Sequence, residues 1–192
     1  MRKKHFTVKQ VKAIKKILLA DNNVRDYCLM SLQIDTMLRS GDVLKLRVGD
    51  VVDSNGAIKD TLEIKQTKTG SSTTCILQDD TRSALIRMID EKQLNRDEYL
   101  FTNGVHKDKG NKPLTLMSHT RRVKRWCEMI GLDPEYYSTH SLRRSKSVAI
   151  YEATHNIEAI RLLLGHRSLG ATMAYLGVDK KESLDISRKF TF

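Results

Sequence analysis

A single short stretch, TLEIKQTKTGSSTTCIL at residues 61–77, interrupts a chain otherwise patterned for helices. It alternates apolar with polar side chains around a Lys-Thr-Gly run, which predicts two antiparallel strands joined by a tip at Thr69–Ser72. The preceding VVDSNGAI sets Asn-Gly between two β-branched runs, the signal for a tight hairpin turn, so the region as a whole predicts about three strands. Elsewhere the period is helical. TVKQVKAIKKILLA puts Val8, Val11, Ile14 and Leu18 on one face and Lys9, Lys12 and Lys16 on the other, with Thr7 and Gln10 spaced as a capping box. Residues 24–37 predict a mostly buried second helix. Further helices are expected near 79–93, 115–130, 141–153, 157–164, 169–176 and 181–189, with Pro113 and Pro134 in loops. No repeat or linker divides the chain. The expected fold is mainly α with a small antiparallel β-sheet (α+β), in a single domain over residues 1–192.

Charge narrows the partner. Thirty-four Lys and Arg against 23 Asp and Glu leave a formal charge of +11, the electrostatic footprint of a nucleic-acid binder. The excess is concentrated: residues 1–20 carry seven basic side chains and no acid, and residues 107–125 carry seven basic and one acidic. Lys9, Lys12, Lys16, Arg121, Arg122, Lys124 and Arg125 are therefore the candidate contacts to a nucleic-acid backbone. No run of apolar residues is long enough to span a membrane, and the basic start MRKKHFTVKQ lacks the apolar core of a secretory signal. Three widely spaced cysteines, Cys28, Cys75 and Cys127, form neither a disulfide framework nor a metal pattern, which fits a reduced, cytoplasmic setting. The six histidines show no ligand spacing, and no carboxylate cluster suits Mg²⁺. No metal or other cofactor is expected, and a metal-dependent nuclease is disfavoured.

Two segments carry chemistry. In THSLRRSKS, His140 and Arg143 lie three apart at a helix start, where the dipole and free N–H groups attract anions. In LLLGHRSLGATMAYLGV, a helix ends near Leu164, Gly165 suits its cap, His166 follows, and Tyr175 lies nine residues further on.

Read in order, LRSGDVLKL at 38–46, HSLRR at 140–144, LLGH at 163–166 and Tyr175 closely resemble the catalytic domain of the tyrosine recombinase (lambda-type integrase) family. The resemblance runs from about residue 7 to 180. It implies that fold and a site made of Arg39 with Asp42 as its acidic neighbour, a hairpin lysine, His140, Arg143, His166 and the nucleophile Tyr175. Two guanidiniums, Arg39 and Arg143, suit the charge that builds on phosphate oxygens during attack, without a metal. His140 and His166 would bind the same phosphate or help remove the phenolic proton. Attack by Tyr175 would form a 3′-phosphotyrosine and release a 5′-hydroxyl, splitting one transesterification into two reversible ones. For the lysine that protonates the leaving oxygen, strand alternation sets Lys68 with Leu62 and Ile64 and Lys65 with Glu63. Lys68 is preferred, its TKTG setting being similar to that of the family's lysine; Lys65 stays open.

The chain also departs from its relatives. Met37 stands where many have glycine, and Arg144, a further candidate DNA contact, replaces a frequent histidine. About 38 residues precede Arg39, so no N-terminal clamp domain is expected in this chain, whether it is a minimal recombinase or a piece of a longer one. Without a clamp, binding by one protomer should be weak and salt-sensitive. The tail at about 180–192, with Leu184, Phe190 and Phe192, is expected to dock in cis or on a neighbouring protomer. The family resemblance makes the nucleic acid double-stranded DNA, and the implied assembly is a dimer or tetramer on it, with accessory DNA-bending proteins compatible, in a bacterial, phage or mobile-element nucleoid context. Two rivals remain: a non-catalytic DNA-binding regulator of this fold, and a strand-relaxing protein of the type IB topoisomerase kind. The target site and the direction of reaction are not encoded in any motif.

Overall fold

The computed structural model describes residues 3–102 and 112–177, together with Arg188. Among these residues the chain forms nine α-helices and one two-stranded antiparallel sheet. Helices α1 (Val8–Ala20) and α2 (Val24–Thr36) are followed by two single-turn helices, α3 (Ser40–Val43) and α4 (Val48–Val51). Strands β1 (Thr61–Lys65) and β2 (Ser72–Ile76) form the hairpin. Then come α5 (Asp79–Lys92), α6 (Leu116–Met129), α7 (Thr139–Thr154), α8 (Ile157–Leu164) and α9 (Leu169–Leu176). The helix expected at 181–189, and with it Leu184, Phe190 and Phe192, lies outside the described residues.

Helix α1 begins as its sequence requires. Thr7 accepts from the Gln10 N–H and the Gln10 side chain accepts from the Thr7 N–H at 2.9 Å, a reciprocal cap. Ile14 and Leu18 are buried and Val11 is partly so, but Val8 is 56% exposed, so the apolar face begins one turn later than its pattern suggests.

Helix α2 is the hub. It packs against α1, α5, α7 and β2, and so is buried on most of its circumference. Several polar residues are buried with it, and three of them tie other elements to the helix. Asp35 accepts from the Thr81 hydroxyl at 2.6 Å and from the Gln78 N–H at 3.0 Å, fixing the start of α5. Gln33 donates to Ser40 and to the carbonyl of Thr139, which ties α3 to the start of α7. Asp26 accepts from Arg122 at 3.1 Å and from the Trp126 indole at 3.3 Å, which anchors α6. The main apolar core runs through these helices. A second, smaller cluster of Met37, Tyr151, Ile160 and Leu164 lies under the C-terminal helices and receives Tyr175 and Leu176.

The sheet is smaller than expected. Leu62 pairs with Cys75 and Ile64 with Thr73, but VVDSNGAI contributes only an isolated bridge between Val52 and Ile58. The reason is local. Val48–Val51 is helical, and the Asp53 carboxylate accepts from the N–H groups of Asn55 and Ala57, closing a side-chain turn that competes with a strand ladder. Only Gly56 of the Asn-Gly pair has positive φ, so the two-residue hairpin turn does not form. Pro134 opens a 3-10 turn at Pro134–Tyr136, and Pro113 lies in an isolated bridge with Thr102.

Candidate active site

Four segments converge: the turn before α3, the hairpin, the first turns of α7, and the α8–α9 corner. Each is placed by a hydrogen bond that a local sequence pattern does not disclose. Met37 closes α2 in the left-handed conformation, φ 51°, which turns the chain so that Arg39 opens α3 and Met37 offers its carbonyl inward. Arg143 donates to that carbonyl through Nε at 2.7 Å and to the Leu164 carbonyl through Nη2 at 3.1 Å. Two carbonyls from different elements thus fix the plane of a fully buried guanidinium.

Gln66 does the same for Arg39. Its side chain is 1% exposed; it donates to the Leu164 carbonyl at 2.9 Å and accepts from Arg39. Gly165 permits the approach, since a Cβ there would meet Gln66 Nε2 at 2.6 Å, and its φ of 65° also favours glycine. Asp42 accepts from the Thr67 N–H at 3.0 Å, which joins the Arg39 turn to the hairpin end. The hairpin is further held against the α8 end by Thr73 donating to the Leu163 carbonyl and by Arg167 donating to the Thr69 carbonyl.

Tyr175 lies at the centre. Its ring meets His140 edge-on at 5.1 Å and His166 edge-on at 5.4 Å between centroids. The guanidinium carbons of Arg143 and Arg144 lie 5.7 and 5.9 Å from its centroid. Burial pushes the Tyr175 phenol up to about 12, against the pull of Arg143, Arg144, a hydrogen bond with Ser147, and Arg39. Burial and then Arg143, Arg39 and His140 bring His166 down to about 4; His140 is lowered by partial burial and then by Arg143, Arg144, Arg39 and Lys68. Both imidazoles are therefore neutral near pH 7. The Thr172 hydroxyl, which donates to the Ser168 carbonyl, faces His166 Nδ1 at 3.1 Å. With the Thr172 proton on the Ser168 carbonyl, the Nδ1–H tautomer of His166 completes this contact and Nε2 is the free acceptor; with it on Nδ1 the roles reverse. Arg143, brought down to about 10 mainly by burial, stays charged.

The structure thus brings Arg39, Asp42, His140, Arg143, His166 and Tyr175 together. Lys68 lies in the exposed hairpin turn, and its charge reaches His140. The alternation used to separate it from Lys65 ends at Lys65, however. Gln66, not Lys68, continues the inward face of Leu62 and Ile64. Gln66 and Thr172 are site residues that motif reading missed. The signal for Gln66 was present: an amide at the next inward position of an apolar strand face needs polar partners.

The basic candidates separate into two groups. Lys9, Lys12, Lys16, Arg121 and Arg125 are exposed. Arg122 is instead paired with the buried Asp26, Lys124 with Glu135 at 2.8 Å, and Arg144 is buried beside Tyr175. Among the described residues no helix is long and apolar enough to cross a membrane, and no group of His, Cys, Asp or Glu could hold a metal ion.

The chain belongs to the phage integrase family, whose model matches residues 4–182. A similar curated protein is the probable integrase/recombinase YoeC of Bacillus subtilis, 28% identical over 174 residues, which are 91% of this chain and 88% of that one. The tyrosine recombinase XerA of Saccharolobus solfataricus is 26% identical over 87% of this chain, and there the match spans 52% of the relative. Among solved structures, XerH bound to its difH substrate superposes with a TM-score of 0.73 at 24% identity, over 95% of this chain and 53% of XerH. A XerA recombinase crystal structure gives 0.76 at 17% identity, over 98% of this chain and 65% of that one. These structures establish the fold as that of tyrosine recombinase catalytic domains. The family match runs over nearly the whole chain, and the chain spans about half the length of XerA of Saccharolobus solfataricus and of XerH.

Proposed function

We propose that this chain cleaves and rejoins duplex DNA through Tyr175. The observation that carries the reading is the convergence of Arg39, His140, Arg143 and His166 on one phenol from separate segments of the fold. The Tyr175 oxygen attacks a backbone phosphorus and the bond from phosphorus to the 5′-oxygen breaks, leaving a 3′-phosphotyrosine. The phenolic proton passes to His166 Nε2, the acceptor nitrogen of the neutral Nδ1–H tautomer, and the departing 5′-oxygen takes a proton from Lys68. Arg39 and Arg143 hold the charge on the non-bridging oxygens, and the Met37 and Leu164 carbonyls keep Arg143 oriented in advance. Arg143 is 1% exposed with the Tyr175 ring over it, so the ring shifts aside as the phosphate enters. Religation is the reverse, and the phosphodiester energy is conserved.

Exposed Lys9, Lys12, Lys16, Arg121 and Arg125 supply backbone contacts to the duplex, so affinity falls steeply with salt. XerH is solved as a complex with its difH substrate, which supports a DNA role for the shared fold. Assembly on DNA is as a dimer or tetramer, in a nucleoid setting, with no cofactor.

The test is a covalent trap. Purified protein and Tyr175→Phe are incubated with nicked duplexes from the DNA flanking the gene, then resolved on denaturing gels. A protein–DNA band absent from Tyr175→Phe is expected. A band that persists in that variant, or intact DNA binding with no band on any fragment, overturns the assignment. Relaxation of plasmids lacking any flanking sequence would instead favour a topoisomerase-like activity.

A further inference from the structure

The segment before α1 is bound along the turn that precedes α7 and along the first turns of α7. The Lys4 N–H donates to the Tyr136 carbonyl at 2.7 Å, and the Phe6 N–H donates to the Ser145 hydroxyl at 3.0 Å. Phe6, itself 1% exposed, stacks on Tyr137 at 4.5 Å. Arg144 donates through Nη1 to the Lys3 carbonyl at 2.8 Å.

Arg144 connects this strap to the site. It is buried, at 8% exposure, between the strap and the face of Tyr175. Its outer side lines a cavity of about 490 Å³ shared with Lys3, Lys4, His5 and Tyr137, and its inner side lies 5.9 Å from the Tyr175 centroid. We propose that Arg144 is a positioning residue for Tyr175, and that the strap at residues 3–6, by holding Arg144, sets where the phenol rests and how readily it ionises. A guanidinium over an aromatic face attracts the ring and favours the phenolate, and both effects act only while the guanidinium is held there. Arg143, from the same helix, is fixed by the fold's interior through Met37 and Leu164; Arg144 is fixed by the strap. The two arginines at this phenol therefore answer to different parts of the molecule. Among the described residues, the other charged or titratable groups facing Tyr175 include His140 from α7, His166 from the α8–α9 corner and Arg39 before α3.

The consequence for catalysis rests on Tyr175 as nucleophile, but the contact can be read without DNA. The full chain is labelled with 3-fluorotyrosine, whose more acidic phenol titrates where the fold survives, and the Tyr175 fluorine resonance is assigned by its loss in Tyr175→Phe. The Tyr175 midpoint is expected to rise by about one pH unit in Arg144→Gln and to stay close to the parent in Arg144→Lys. Phe6→Ala, which loosens the strap and leaves every charge at the site in place, should raise the midpoint in the same direction and shift the resonance. An unmoved midpoint in a folded Arg144→Gln protein overturns the proposal. So does an unmoved midpoint in Phe6→Ala, which decides the matter alone if Arg144→Gln fails to fold. Either failure leaves the covalent trap, and with it the nucleophile, untouched.

Discussion

The Met37 carbonyl receives the Arg143 Nε–H at 2.7 Å, and it faces Arg143 because Met37 ends α2 in the left-handed conformation. A β-carbon at that φ costs roughly 1–2 kcal/mol, and the strain is tolerated because the Met37 side chain is buried with Tyr151, Ile160 and Leu164. Met37→Gly removes the strain but also a buried side chain worth more. It is expected to lower unfolding free energy by about 2–3 kcal/mol in urea titration while leaving Arg143 oriented.

Gly165→Ala is expected to act on the opposite side of the site. The new methyl group collides with Gln66, whose amide bridges Arg39 to the Leu164 carbonyl, and it occupies a positive-φ position. Stability should fall by roughly 1–2 kcal/mol, and single-turnover cleavage of a nicked duplex by about tenfold or more, because Arg39 loses its support. Equal cleavage rates for Gly165→Ala and parent would show that Gln66 does not govern Arg39.

The hairpin lysines separate by leaving-group chemistry. Lys68→Ala should slow cleavage by about 100-fold or more, whereas Lys65→Ala should stay within about twofold. Replacing the 5′-bridging oxygen of the substrate with sulfur, a leaving atom that needs no proton, should restore the Lys68→Ala rate. Rescue of Lys65→Ala instead would reverse the assignment.

Arg122 answers to Asp26 before it answers to DNA. The Asp26 carboxylate is 4% exposed and is held by Arg122, Arg25 and the Trp126 indole. Arg122→Ala should cost about 1–2 kcal/mol of stability, less than the loss of a sole partner, because Arg25 still faces the buried charge. Its salt-dependence slope for DNA binding should match the parent, whereas Arg121→Ala should reduce that slope by close to one.

His119 sets part of the acid response. Its ring is buried edge-on to Trp126, and burial, with Arg122 nearby, brings its pKa from 6.5 down to about 4. Above pH 6.5 the imidazole is neutral in both folded and unfolded chains and the linkage contributes nothing. Between 6.5 and about 4 the unfolded chain takes up a proton that the folded chain refuses, so stability falls, and the fall levels off below that range. The loss should approach about 3 kcal/mol for His119, with His166 adding a smaller, solvent-screened share. His119→Phe should flatten urea-determined stability across this window by about half or more. An unchanged slope would place the acid sensitivity elsewhere.

Features that depend on a few turns of chain could be read directly from the residues. Helical period and capping residues located α1, α2 and α5 to α9 to within a residue or two, because cap chemistry and amphipathic spacing are local. The candidate reactive side chains came from the resemblance to tyrosine recombinases, and the fold sets Arg39, His140, Arg143 and His166 around Tyr175. Tertiary structure alone decided how they are held. Neither Gln66 nor the carbonyls of Met37 and Leu164 carry a motif, because hydrogen bonds across 98 and 106 positions of chain leave no periodic trace. The third strand failed for a related reason: the Asp53 side chain captured N–H groups that a strand ladder would have needed. Arg122 and Arg144 look like surface charges in the sequence, and only packing shows them turned inward, toward Asp26 and Tyr175. Charge is written in the sequence, but its direction depends on which buried acceptor or ring the fold sets beside it.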